Sequence, residues 1–88
     1  VIVSANRLGA VNATLQTLVA AAAWRQGLPV AGVVLCDVSP DAGDASRDDN
    51  PAELKRRMHA PLLAHVRHGA TQFDPPLDWR KLASAEPV

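Results

Sequence analysis

The run Val1-Ile2-Val3-Ser4-Ala5-Asn6-Arg7-Leu8-Gly9-Ala10-Val11-Asn12 decides the fold: an apolar stretch, a short polar turn, then a glycine opening a long segment of helical period. Val1, Ile2 and Val3 are β-branched and continuous rather than alternating, the pattern of a strand covered on both faces, as in a parallel sheet. A strand that hands over to a helix sends its loop to the carboxyl end of the sheet, where α/β proteins hold ligands. The helix start there presents unpaired N–H groups to an anion. Gly9, lacking a Cβ, would let a ligand approach the backbone closely. Taken alone, a turn such as Ser4 to Gly9 reads more readily as a plain connection.

Outward from this turn, Val11, Leu15, Leu18, Val19 and Ala22 recur at the spacing of one helical face, which predicts an amphipathic helix over Gly9 to Gln26. Gly27 supplies a left-handed stop and Pro29 prevents continuation. Trp24, near the helix end, reads as a core or partner contact. Val30 to Cys36 is a second apolar run, predicted as another buried parallel strand. The small Ala31 and Gly32 in it imply close approach of the preceding helix. A right-handed βαβ unit is the expected connection.

Asp37 to Asn50 contains Pro40, Gly43, five aspartates and two serines, and reads as a mobile, solvated acidic loop. Its carboxylates lack the spacing and the terminal Glu of a calcium loop. Asn50-Pro51-Ala52-Glu53 fits an N-cap, a first-position proline and a capping-box glutamate, opening a short helix to about Met58 with Leu54 and Met58 inward. Leu62 to Val66 predicts a third strand. After Gly69 the chain is polar until Pro75-Pro76, and Asp78 is placed to cap a final short helix carrying Trp79 and Leu82, a packed tail rather than a second domain.

Nine Lys plus Arg balance nine Asp plus Glu, so no net field draws in nucleic acid or an anionic membrane. The basic cluster Lys55-Arg56-Arg57 falls at a predicted helix end, where cations favour the macrodipole. The lone Cys36 has no internal disulfide partner, and with no signal-peptide pattern a reducing cytoplasm is expected. Val19 to Ala23 is too short for a membrane span. His59, His65 and His68 with Cys36 lack zinc-site spacing and read as surface or loop histidines, so no metal ligand is assigned. Residue order alone supports no Ser, His and acid triad.

One resemblance covers most of residues 1 to 66. Arg7-Leu8-Gly9-Ala10-Val11-Asn12 with Thr14-Leu15, then Gly27-Leu28-Pro29-Val30-Ala31-Gly32-Val33-Val34, then Pro61-Leu62-Leu63-Ala64 resemble the C-terminal half of dethiobiotin synthetases. Those are ATP-dependent carboxylases of the P-loop class. Their matching segments read approximately R-L-G-(C/T)-I-N-H-(A/T)-L-L-T, G-L-P-V-A-G-(W/V)-V-x-N and P-(L/V)-L-G.

The resemblance implies an α/β, P-loop NTPase-like parallel sheet with flanking helices. Residues 1–88 would form the C-terminal part of a single domain, with three strands and two to three helices. The short length, the absence of an initial Met and the lack of a G-x-x-x-x-G-K-[ST] segment also lead one to expect a fragment, inactive alone and with uncovered sheet edges.

By the same resemblance the whole enzyme would be a cytoplasmic, homodimeric ligase of biotin biosynthesis. It would use ATP, Mg2+ and carbon dioxide to close the ureido ring on diaminononanoate: the amine-derived carbamate is phosphorylated and the second amine displaces phosphate. The phosphate loop, catalytic lysines and magnesium ligands would lie in the other half, so no catalytic residue falls here. Gly9, Ala10 and Asn12 match the positions that receive the carboxylate of the diamino acid substrate across the dimer interface. From its residue type alone, Asn12 reads equally as a helix-start polar group bonding the local backbone.

Two positions depart from the family. Cys36 stands where the family usually has an Asn that reads the adenine edge, and Ala64-His65-Val66-Arg67 stands where it tends to have Gly-Glu-(I/V)-Pro. Cys36 and Arg67 are thus the candidate nucleotide-base pocket, with a thiol in place of a paired amide donor and acceptor. The alternatives are a related P-loop amidoligase of the cobyrinate diamide synthetase type, or a non-catalytic α/β dimerisation or binding domain that has lost the nucleotide.

Overall fold

The computed structural model describes residues 1–40 and 45–84. Strands β1 (Ile2–Ala5), β2 (Val33–Cys36) and β3 (Leu62–Val66) alternate with helices α1 (Ala10–Ala23) and α2 (Ser46–Arg57), and α3 (Trp79–Ser84) closes the chain. The strands form one sheet in the order β1-β2-β3. Both pairings are parallel. This is the α/β arrangement expected from the apolar runs separated by helical segments. Among the described residues no helix is long and apolar enough to cross a membrane.

The register explains the core. Ile2 pairs with Val33 and Val33 with Leu62, so these three share a face, and two residues along β2 Leu35 returns to it. Val33, Leu35, Leu54 and Met58 are the buried cluster there, with Ile2, Val11, Leu15, Leu18 and Leu62 packed against it. Leu35 and Leu54 are wholly buried, each contributing about 1.5–3 kcal/mol relative to exposure. Both α1 and α2 therefore lie on one face of the sheet.

The first strand is not covered on both faces as its β-branched run implies. β1 is an edge, its inward Ile2 packs on the helices, and Val3 on the opposite face is 68% exposed. Val34 and Ala64, which share that opposite face, are buried, so β2 does fit the two-sided reading.

In α1 the inward stripe is Val11, Thr14, Leu15 and Leu18. Thr14 is buried because its hydroxyl bonds the Ser4 hydroxyl at 2.8 Å. Val19 and Ala22, expected inward, are exposed. The helix ends at Ala23, before Gln26, because Trp24 turns extended and Arg25 takes a positive φ of 51°. Gly27, at φ 94°, completes the reversal as expected, and the Leu28 amide returns to the Ala21 carbonyl at 2.8 Å. Trp24 is exposed, with the Arg25 guanidinium 5.5 Å from its ring centre, so it is no part of the core.

Three further expectations are corrected. The second strand starts at Val33, not Val30. The close approach at Gly32 comes from β3 rather than α1: a Cβ there would lie 2.5 Å from Leu63 Cγ and 2.8 Å from the Pro61 carbonyl oxygen. Helix α2 starts at Ser46, inside the expected loop, with Asp48 and Asp49 in the first turn where carboxylates favour the dipole. Pro51 is consequently inside the helix, and Asn50 is not its cap. Glu53 pairs forward with Arg56 and Arg57 instead of back-bonding. Of the acidic loop, residues 41–44 lie outside the described residues.

In the tail the Asp78 carboxylate accepts the Lys81 N–H at 3.1 Å as expected, and Trp79 meets Phe73 edge-on at 5.2 Å between ring centres, but the expected packing is not seen: α3 has no buried residue and Trp79 is 47% exposed.

Candidate functional site

The carboxyl ends of the three strands converge on a polar cluster. Asn6 follows β1, Asp37 follows β2, His65 lies near the end of β3, and α2 adds Arg47 and Asn50. Asn6, Asp37 and Asn50 are all buried. The Asn6 amide donates to Asp37 Oδ1 at 2.7 Å and to the Arg47 carbonyl at 3.1 Å. The Asn50 amide donates to Asn6 Oδ1 at 2.9 Å and to the Arg7 carbonyl at 3.0 Å. Asp37 also takes a 3.0 Å ion pair from Arg47 and a 2.8 Å bond from His65 Nε2.

A carboxylate only accepts, so His65 Nε2 carries the proton, and the 3.3 Å approach of the Asn6 amide to that nitrogen is a contact between two donors. Burial pushes the Asp37 carboxyl up, but the bonds from His65, Asn6 and Arg47 outweigh it and hold the group down at about 2. Asp37 is therefore an ionised anchor at neutral pH. Among the described residues no buried side-chain nitrogen or oxygen lacks a partner, so this cluster is closed on itself. It braces the strand ends against α2.

Sequence reasoning missed the cluster. Asp37 reads there as part of a solvated loop and His65 as a surface histidine, yet the first is buried and the second is its partner. His59 and His68 are exposed, as expected. Among the described residues no three His, Cys, Asp or Glu side chains are grouped to hold a metal ion.

The open feature beside this brace is the turn between β1 and α1. Gly9 is the N-cap of α1 at φ 90°, a left-handed conformation, and among the described residues no side chain caps the helix. Among the described residues nothing lies within 4 Å of where a Cβ on Gly9 would sit, so the glycine is there for its backbone angle. Arg7, Leu8, Gly9 and Asn12 are exposed, and the first turn of α1 carries no acidic residue. The start of the helix thus combines the positive end of a dipole, an exposed amide side chain and an exposed arginine. That combination suits an anion. Ala10 differs: its side chain is buried and its N–H is taken by the Arg7 carbonyl at 2.9 Å, so it lies beneath the turn instead of facing outward.

Cys36 and Arg67 come together at the same end of the sheet. Cys36 pairs in register with Val66, and Arg67 is the next residue. Cys36 alternates away from the face that Leu35 shares with the helices, whereas Asn6 and His65 reach the Asp37 brace. Burial, and then the Asp37 charge, push the Cys36 thiol up, so it stays neutral at physiological pH. Arg67 is exposed.

A roomy concavity lies elsewhere, before the strands begin. About 1070 Å³ of mostly apolar space is lined by residues including Leu15, Leu18, Met58, Trp79 and Leu82. None of Gly9, Ala10, Asn12, Cys36 or Arg67 lines it. No family model, curated protein or solved structure matches the chain.

Proposed function

We propose that the chain is the C-terminal portion of a dethiobiotin synthetase-like enzyme, contributing the site for the substrate's carboxylate and one wall of the nucleotide-base pocket. The observation that carries this reading is the β1–α1 turn: left-handed Gly9 with no described residue within 4 Å of its missing Cβ, an α1 start that no described side chain caps, and Asn12 exposed on the first helical turn. Several N–H groups and one side-chain amide can then address a carboxylate without supplying chemistry. Ala10 contributes by its small, buried side chain beneath the turn. The resemblance of Arg7 to Asn12 supplies the substrate class, a diamino acid with a distal carboxylate.

On this reading a partner subunit completes the site. ATP and Mg2+ are held by the half that carries a phosphate loop, and the free thiol of Cys36 fits a cytoplasmic protein. Incubating the protein expressed with its upstream coding sequence with diaminononanoate, bicarbonate and MgATP should form dethiobiotin with one ADP per ring closed. Absence of that product, with ATP bound, would favour the related amidoligase. A non-catalytic α/β dimerisation domain is a second reading, favoured by Cys36: a neutral, partly buried thiol beside an exposed Arg67 offers no paired donor and acceptor to a purine. Absence of both product and ATP binding would favour it.

A further inference from the structure

We infer that Asn50, on α2, is a positioning residue for the β1–α1 turn, holding it in shape without touching a ligand; this rests on the reading of the turn as a carboxylate site. Gly9 gives α1 no side-chain cap, so the device that ordinarily fixes the entry of a helix is missing. The turn is instead gripped from a different element. The Arg7 carbonyl accepts the Ala10 N–H at 2.9 Å from within the turn and the Asn50 amide at 3.0 Å from α2.

The second hydrogen of the Asn50 amide goes to Asn6 Oδ1 at 2.9 Å. One planar NH2 group therefore ties down two consecutive residues, Asn6 and Arg7, where the chain leaves β1. Its orientation is determined, because a flipped amide would set its oxygen against both acceptors.

Asn50 is itself fixed. It is 6% exposed, one helical turn before the wholly buried Leu54, and close to the Arg47–Asp37 ion pair on the same helix. Asn6 passes the restraint on, spending its amide hydrogens on Asp37 and the Arg47 carbonyl. The shape of the exposed turn is thus set by the docking of α2 on the strand ends. A carboxylate held by backbone donors needs them placed to within about 0.5 Å, so loosening Asn50 should be felt at the turn.

The test is a titration of the isotope-labelled protein, expressed with its upstream coding sequence, with hexanoate, a carboxylate lacking an amine, followed on the backbone amides of Gly9 to Asn12. In the wild type these signals should shift saturably. Asn50→Ala should weaken hexanoate by about tenfold, with Asn50→Ser, which keeps one donor and disturbs packing less, between the two. A merely structural Asn50 would lower the melting temperature and leave the affinity of folded protein unchanged, and that result overturns the inference.

If the wild type does not bind hexanoate, the carboxylate reading fails by itself. Asn50 is then judged without ligand by hydrogen exchange. The Ala10 amide, donor to Arg7, should exchange roughly tenfold faster in both variants relative to amides in the middle of α1, and unchanged protection overturns the positioning role.

Discussion

The side-chain amide of Asn6 donates to the carbonyl of Arg47 at 3.1 Å, and Arg47 is the residue whose helical acceptor Pro51 leaves unused. A proline inside a helix has no N–H for the carbonyl four residues earlier, and that lost bond is a main part of its cost. Here a residue from the end of β1 supplies the missing donor. The interruption in α2 is thereby converted into a tie between helix and sheet.

Asn6→Ala should therefore cost about 3 kcal/mol, since it removes a hydrogen-bond partner from each of Asp37, Asn50 and Arg47. In a Pro51→Ala background the restored backbone N–H serves the Arg47 carbonyl, and the same substitution should cost about 1 kcal/mol less. Urea unfolding of the two single variants and the double variant gives the coupling. Strict additivity would mean that the Asn6–Arg47 bond contributes nothing.

How much of this was legible in the sequence follows from what each signal measures. Periodicity reports apolar faces, and it located all three strands and α1, with Leu62 to Val66 recovered to the residue. It could not tell an edge strand from a central one, because Val1-Ile2-Val3 is as β-branched as any buried run. Asn50-Pro51-Ala52-Glu53 has the residue types of a helix start, but local chemistry does not reveal that Asn50 is spoken for by Asn6 and Arg7, more than forty residues away. Asp37 and His65 were missed for the same reason: polar residues at strand ends look like loop until the topology sets them side by side. Asp48 and Asp49 were the one available signal for an earlier α2 start.

Asp37 gives the fold an acid limit. Its carboxyl is at 3.8 when unperturbed and at about 2 in the folded chain. The folded value is depressed, so the stabilisation is fully present above about pH 4 and is lost as the pH falls toward 2. It amounts to on the order of 2 kcal/mol. Thermal melts between pH 5 and pH 2 should show this decline, and Asp37→Asn should flatten it while lowering stability at pH 7. An unchanged acid slope in Asp37→Asn would assign the transition to other carboxylates.

Gly9 and Gly32 should respond to alanine for opposite reasons. At Gly9 there is room but the backbone sits at φ 90°, so Gly9→Ala should cost about 1 kcal/mol from strain alone. At Gly32 a Cβ would collide with Leu63 and the Pro61 carbonyl, which cannot both yield without opening the junction of β2 and β3. Gly32→Ala should cost about 2 kcal/mol or more. Chemical denaturation that ranked Gly9→Ala as the worse of the two would contradict the contact geometry at Gly32.

Asn12 separates binding from folding most cleanly. It is exposed, the cap position of α1 belongs to Gly9, and Asn12 makes no side-chain bond to the helix start among the described residues, so a structural capping role for Asn12 has no support in the geometry. Asn12→Ala should leave the melting temperature within about 2 °C of wild type, because alanine is a good helix former at an exposed site. If Asn12 gives one charge-assisted bond to the substrate carboxylate, the same change in the intact enzyme should raise KM for the diamino acid roughly tenfold. The turnover number should be nearly unchanged, since the carboxylate lies away from the reacting amines and its bond is equally present in ground and transition states. Steady-state kinetics with the diamino acid varied at saturating MgATP measures both. A fall in kcat at constant KM would place Asn12 near the chemistry, and no kinetic change at all would remove it from the site.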